Sequence, residues 1–388
     1  MMSAKTIVVL GGGSGGIVCA NELRKKLGGE HRIILIDKDE EHTFYPSLLW
    51  LIFGLRKPEQ IKRSLRALTK KGIEFIQGEV TEISTEKKSI SLNRQNINYD
   101  ELIISLGAEL NTKAFPKTPK IFNFYCLEGA KLSGEAINNF SNGKIVIFIG
   151  GMPFKCPAAP YEFAFLIDSF FKNRNIRGRI SIEIYTPETL PMPTAGPQIG
   201  NMLKQMLESR QINFNPEYKF KSVDEGKIYF ENNKTADFDL LFVVPPHTAP
   251  EVVKKTNLIN ESGWIPVDRE TLKTKFENVY AIGDVTTIKL PGQYKTDKPL
   301  NLPKAGVFAH YQAEVVAENI VKEINGQKPD KRYSGNGYCF LELGSHKAGF
   351  AKGNFFATPS PSVAIYSSGK IWHLGKIAFE KWWLWKWF

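Results

Sequence analysis

The sequence predicts an α/β fold with two parallel-sheet domains and a C-terminal amphipathic segment. Three observations predict it. The apolar run Lys5–Leu10 leads into Gly11-Gly-Gly-Ser-Gly-Gly16. A second apolar run, Ile145–Ile149, ends in Gly150-Gly151. Residues 372–388 hold five tryptophans, two phenylalanines and three lysines.

The first observation is the most informative. A β-branched apolar run reads as a buried parallel strand. After the glycines comes a helical stretch, Ile17 to Leu27, then a second strand, Arg32–Ile36, ending in Asp37. Strand, G-x-G-x-x-G, helix, strand and acid together mark a dinucleotide site. The glycines allow the tight turn and the close approach of a pyrophosphate to the helix N-terminus, and the acid accepts from ribose hydroxyls. Gly11, Gly13, Ser14, Gly15, Gly16 and Asp37 are therefore cofactor candidates.

Near the other end of the chain, the short strand Val279–Ile282 ends in Gly283-Asp284. This resembles the second FAD motif of the two-dinucleotide-binding flavoproteins, whose acid binds the ribityl chain. As a plain helix N-cap the same Asp284 is also accounted for. Ile103–Gly107 resembles the crossover segment of that superfamily. The resemblance implies FAD and two Rossmann-like FAD/NAD(P)-type domains. The FAD domain is discontinuous, residues 1–112 and 245–330, and the second domain is 113–244. Residues 331–388 form the C-terminal quinone- and membrane-binding region.

The second glycine motif is broken. It reads Gly150-Gly-Met-Pro-Phe-Lys-Cys156-Pro-Ala-Ala-Pro-Tyr-Glu162. Prolines lack the N–H donors that a pyrophosphate needs, so this domain keeps its fold and loses its nicotinamide ligand.

Four cysteines in 388 residues are no disulfide scaffold, and they show no metal-ligand spacing with the six histidines. Cys19 reads as a small core residue. Cys156 precedes a helix (Tyr161 to Phe171), where a thiol's pKa is lowered. Cys339 on its own is compatible with a core role.

The block Lys155–Glu162, the pair Cys339-Phe340 and the tail Gly375–Lys386 resemble those of the sulfide:quinone oxidoreductases. The resemblance implies that Cys156 and Cys339 flank the flavin and hold a disulfide or polysulfur bridge, which sulfide attacks. Cys126 matches a third family cysteine that helps move sulfur and in some members carries the flavin. Glu162 matches an acid near the sulfur, implied to take the proton of the entering sulfide; equally, it favours the start of its helix by charge–dipole attraction. Phe340 and Phe379 match the rings that sandwich a quinone, and Lys376 a polar neighbour of its carbonyl. Lys38, Pro46, Ser47, Val80, Gly107, Gly283, Asp284, Lys304, Ala305 and Gly306 complete the implied flavin contacts. Lys304 and the helix Val307–Ile324 face the end of the ring that gains negative charge on reduction.

A net charge of +11, from Lys+Arg 51 against Asp+Glu 40, suits an anionic lipid surface as well as a solvated face. No nucleic-acid motif is present. With no apolar run long enough to span a bilayer and no signal peptide, the expectation is a peripheral, monotopic protein on the cytoplasmic face. A homo-oligomer is compatible with this. The tail reads as an interfacial helix from Leu374 to Phe388, with a core-packing tail as the alternative. Because all FAD motifs lie upstream, deleting residues 374–388 is expected to leave a folded yellow protein. The competing readings are a type II NADH:quinone oxidoreductase and the flavoprotein subunit of flavocytochrome c sulfide dehydrogenase. The Pro-Pro-His247 histidine reads as a loop residue, with a place facing the cavity as the alternative.

Overall fold

The computed structural model describes residues 4–93, 95–295 and 298–388. Strands β1 (Thr6–Leu10), β2 (Arg32–Asp37), β3 (Glu74–Gln77) and β4 (Glu101–Ile104) begin the first sheet, with helix α1 (Ser14–Lys26) after β1. The chain then builds a second sheet from β5 (Ile121–Asn123), β6 (Gly143–Ile149), β7 (Ile180–Tyr185), β8 (Ile212–Asn215) and β9 (Leu240–Val244). It returns to the first sheet as β10 (Val279–Ala281).

Both sheets are five-stranded and parallel, in the orders β10-β4-β1-β2-β3 and β5-β9-β6-β7-β8. Their central strands are buried on both faces, which is why they read as continuous apolar runs and not as alternating ones. In such sheets the ligand lies beyond the carboxyl ends of the strands. Gly11, Asp37, Gly150 and Asp284 all stand there.

Three helices carry or adjoin the candidate residues: α2 (Leu127–Asn139) after Cys126, α3 (Ala159–Asn173) with Glu162, and α4 (Gly306–Ile324) after Ala305. The C-terminal part is an antiparallel sheet of β11 (Asn336–Gly344), β12 (Lys347–Asn354) and β13 (Ser362–Gly369), followed by α5 (Lys370–Lys386). At 1.5 Å per residue α5 is about 25 Å long. Among the described residues no helix is long and apolar enough to cross a membrane.

Helix α5 corrects one expectation. It starts four residues before Leu374, and its inner face belongs to the core. Trp383, Leu384 and Trp387 are each 2% exposed. Trp383 packs on His42 and Phe44 of the first domain, and Phe388 on His42. Asn21 Nδ2 and Lys71 Nζ donate to the Trp387 and Lys386 carbonyls. The opposite face is bare: Ile371, Leu374 and Trp385 are 71%, 62% and 78% exposed. The aromatic tail thus has one buried and one exposed face.

Candidate functional site

The glycine loop after β1 has the geometry its motif demands. Gly11 holds φ +100°, and a Cβ on Gly16 would lie 1.9 Å from the Gly11 carbonyl oxygen. Only glycine fits either position. Gly13 has open space where a side chain would go, and α1 begins there with no side-chain cap. Asp37 accepts from Gly12 N–H, and burial raises its pKa. Asp284 stands after β10 with Oδ1 buried and unpartnered.

Beside Asp284, Lys304 donates to the Asp284 and Thr286 carbonyls at 2.6 and 3.1 Å and lies 3.3 Å from the centre of the Trp264 ring. Burial brings its pKa down to about 7, against the pull of Asp284. Lys304 is thus held by the protein, close to losing its proton. Ala305 caps α4, again with no side chain on the free N–H groups. Pro46 and Ser47 form a single 3₁₀ turn with Tyr45. Ser47 donates to Glu380 of α5. Val80 sits in the strand Val80–Ser84 of a small meander, 9% exposed.

The segment carrying Cys156 is clamped. Lys155 bridges to Lys304 in parallel register, Cys156 N–H donates to the Lys304 carbonyl at 2.7 Å, and Tyr125 OH donates to the Cys156 carbonyl at 3.3 Å. These bonds hold Cys156 at φ +52°, a left-handed value that costs a non-glycine residue about 1–2 kcal/mol. Strain of this kind, fixed by its surroundings, collects at working sites. Cys339 comes from β11. What brings it near is Glu162, whose Oε1 accepts from Glu342 N–H at 2.9 Å and so ties the first turn of α3 to β11. Cys126 is the N-cap of α2, with Sγ 3.7 Å from the Asn123 carbonyl. All four cysteines are free thiols.

The helix-terminus expectation for Cys156 fails. Burial pushes its pKa up to about 12; Glu162 adds to the rise and Lys376 only partly offsets it. Cys339 is raised well above the ordinary thiol range for the same first reason. A helix terminus is worth about 0.3–1 kcal/mol, under one pKa unit, while full burial moves a group by up to about 3–5 units. In the reduced state, labelling of Cys156 by a small neutral alkylating agent should keep accelerating above pH 9. A rate that levels near pH 8 would contradict this.

Phe340 and Phe379 face each other with centroids 6.3 Å apart and planes at 34°. They border a cavity of about 410 Å³ with Tyr311, Tyr338, Phe350, Trp372 and Gly375 among its walls. That volume suits a small-molecule ring. Two stacking gaps of 3.5 Å need about 7 Å, so the rings would part slightly around an inserted ring. Lys376 is not among the walls. Its ammonium lies 2.9 Å from Glu162 and 3.9 Å from Glu342, fully enclosed.

This arrangement has known relatives. Residues 5–312 match the family described as pyridine nucleotide-disulphide oxidoreductase. The chain is 30% identical to the sulfide-quinone reductase of Aquifex aeolicus, over 99% of this chain and 91% of that protein. The chain belongs to the pyridine nucleotide-disulphide oxidoreductases, among the sulfide-quinone reductases. It is also 26% identical to the mitochondrial sulfide:quinone oxidoreductase of Mus musculus, over 91% of this chain and 79% of that protein. The crystal structure of the Aquifex aeolicus sulfide:quinone oxidoreductase superposes with a TM-score of 0.89 at 28% identity, covering 99% of this chain and 91% of that chain.

Membership in these reductases brings FAD as cofactor, and the residues fit it. The open Gly13 loop, the uncapped α1 and α4 termini and the orphaned Asp284 Oδ1 offer the donors and the acceptor it needs. The second glycine loop is a poorer dinucleotide site: Pro153, Pro157 and Pro160 offer no N–H donors, and Pro246 and Phe115 pack against Gly150.

Sequence reasoning missed Glu342 and Trp50, which flank Lys376, and His373, which bonds Glu342. The one signal was an acid inside the apolar strand Tyr338-Cys-Phe-Leu-Glu342. It also misread His247, which is buried, with Nδ1 2.8 Å from the Pro245 carbonyl, its ring edge-on to Tyr125 and Nε2 unpartnered. Burial, with Lys155 adding to it, lowers the His247 pKa to about 3, so it is a neutral imidazole.

Lys376→Met should destabilise the fold by about 3–5 kcal/mol, the cost of stranding buried carboxylates. Glu342, which burial already raises and Lys376 holds down, would then be raised further, so the folded state would bind more protons than the unfolded one. The deficit in melting temperature should shrink as pH falls from 8 to 5. A deficit that grows on acidification would contradict the pairing.

Proposed function

We propose that the chain is an FAD-dependent sulfide:quinone oxidoreductase in which Cys156 and Cys339 form the sulfur site and the Phe340–Phe379 cavity takes the quinone. The observation that supports it most is the placement of Glu162. One carboxylate ties the Cys156 segment to the Cys339 strand and pairs with Lys376, whose neighbour Gly375 lines the aromatic cavity.

HS⁻ attacks one sulfur of a Cys156–Cys339 disulfide. One cysteine becomes a persulfide and the other leaves as a thiolate, with charge conserved. The Lys376 ammonium lowers the cost of that thiolate, as it does for both thiols. FAD, when bound, supplies the two-electron carrier between sulfur and quinone. The sum is HS⁻ + Q + H⁺ → S⁰ + QH₂, with the sulfur atom kept in polysulfide. Glu162 is already paired, so its role is to hold Lys376 and the Cys156 segment in place.

The NADH:quinone alternative needs a second pyrophosphate on a glycine loop whose prolines offer no N–H donors. The exported cytochrome-linked alternative leaves the aromatic cavity and the bare face of α5 without a purpose. That face, with Lys370, Lys381 and Lys386 on the same helix, suits an anionic lipid surface, and we assign the protein to the membrane periphery. Changing Ile371, Leu374 and Trp385 together to Ser should leave melting within about 1 kcal/mol of wild type, because all three are exposed, and should release the protein from anionic vesicles. Undiminished vesicle binding would remove α5 as the anchor. Steady turnover with sulfide and a short-chain quinone, and none with NADH, tests the function.

A further inference from the structure

The reaction takes one proton from water for each sulfide oxidised, yet the aromatic cavity opens at Ile371, on the bare face of α5 that this reading turns to lipid and not to water. Behind the cavity lies a line of titratable groups whose outer members, Glu342, His373 and His346, the reaction as written leaves without a role. Glu162 Oε1 is 2.9 Å from Lys376 Nζ, which is 3.9 Å from Glu342 Oε1. Glu342 Oε2 is 3.0 Å from His373 Nδ1. These four side chains are buried: 3%, 5%, 1% and 8% exposed. The His373 ring then meets His346, centroids 5.4 Å apart, and His346 is exposed in the turn between β11 and β12.

The inner end of this line touches both chemistries. The charges of Glu162 and Lys376 act on Cys156 and on Cys339. Lys376 follows Gly375 in the wall of the aromatic cavity. Trp50 seals the side, its ring 5.1 Å from Lys376 Nζ and edge-on to His373 at 5.8 Å.

The charge count makes the line suited to carrying a proton. α3 contributes Glu162, β11 contributes Glu342 and Cys339, and α5 contributes Lys376 and His373. The segment Leu48–Ile52 brings only the uncharged Trp50, and the next turn of α5 carries the separate Glu380–Arg56 pair at 2.9 Å. Two carboxylates face one ammonium, so the buried cluster is neutral only when it holds one more proton. Glu342, which burial raises, and His373 are hydrogen-bonded partners able to share it.

We propose that His346, His373 and Glu342 carry the proton from solvent to the Glu162–Lys376 pair, and so supply the second proton of the hydroquinone. This rests on the sulfide:quinone reading. In the overall reaction two electrons pass from HS⁻ to the quinone, one hydroquinone proton is that of HS⁻, and the other enters at His346. The line ends at Lys376, which passes the proton on toward the cavity and regains one from Glu342. His373, Glu342 and His346 act through Lys376 and are positioning residues in this sense.

The test is anaerobic reoxidation of the sulfide-reduced protein by a short-chain quinone, in wild type, His373→Gln and His346→Asn. Gln keeps a donor for Glu342 but relays no proton. We expect reoxidation to slow roughly tenfold or more in His373→Gln and by a smaller factor in His346→Asn. Both should recover in part with added imidazole, while quinone binding, read by quenching of Trp372 and its neighbours, stays at the wild-type level. Should His373→Gln not fold, His346→Asn, on the surface, decides alone. Unchanged rates in the variants beside a working wild type would overturn the path. So would slowing that imidazole does not relieve and that accompanies weaker quinone binding, because that is a structural defect. A wild type that sulfide cannot reduce, or quinone cannot reoxidise, would overturn the function itself and the path with it.

Discussion

Cys156→Ser and Cys339→Ser should each lower sulfide-driven turnover by at least about a thousandfold, the scale on which loss of a covalent nucleophile is felt. Both variants should stay yellow. Neither cysteine contributes to the Gly11–Gly16 loop, and Asp284 is reached through Lys304 and not through a thiol. Serine matches cysteine in shape but forms no disulfide and no persulfide, so the first bond exchange has nothing to attack. The Cys156 position carries an added condition. Its backbone is held at φ +52° by bonds to its N–H and carbonyl, not by its side chain, so the substitution keeps the clamp. Measured turnover within tenfold of wild type in either variant would place the sulfur chemistry elsewhere.

Removing residues 374–388 should unfold the protein. Burial of Trp383, Leu384 and Trp387 contributes roughly 5–9 kcal/mol at 1.5–3 kcal/mol per side chain. The deletion also strips Lys376 from Glu162 and Glu342, and Glu380 from Arg56 and Ser47. Stranded buried charges cost about 3–5 kcal/mol more. The sum reaches the whole stability of an ordinary protein, about 5–15 kcal/mol. The expected outcome is aggregated protein without bound FAD, read by gel filtration and flavin absorbance. A soluble, yellow truncation with the wild-type melting temperature would show that the inner face of α5 is dispensable.

The parts of this site visible in the sequence are those whose physics is local. Gly11, Gly16, Asp37 and Asp284 are fixed by a turn, a close approach and a strand end, all within a few residues. Their positions in the fold follow from the strands before them. The cysteine pair was visible as a pattern, yet the state of its thiols was not. A helix start is written in the chain, whereas the enclosure that raises Cys156 is made by segments far away in sequence. The same holds for Lys376. Its partners Glu162 and Glu342 lie 214 and 34 residues off, on α3 and β11. Nothing in the tail signals that its lysine belongs to a buried ion pair and not to the aromatic cavity. The tryptophans of α5 show the ambiguity most plainly. Trp383 and Trp385 are chemically alike and two residues apart, and one is in the core while the other is bare. His247 was misread for the same reason, since a Pro-Pro-His stretch carries no sign of the Tyr125 ring against it.

The most direct measurement is a two-step anaerobic mixing experiment on the full-length, FAD-loaded protein. Sulfide is added first and short-chain quinone second, with flavin absorbance followed throughout. The account predicts that sulfide bleaches the flavin, that quinone restores it, and that Cys156→Ser shows no bleaching with sulfide but still recovers with quinone after chemical reduction. Bleaching of Cys156→Ser by sulfide at the wild-type rate, or bleaching of the wild type by NADH and not by sulfide, would contradict it.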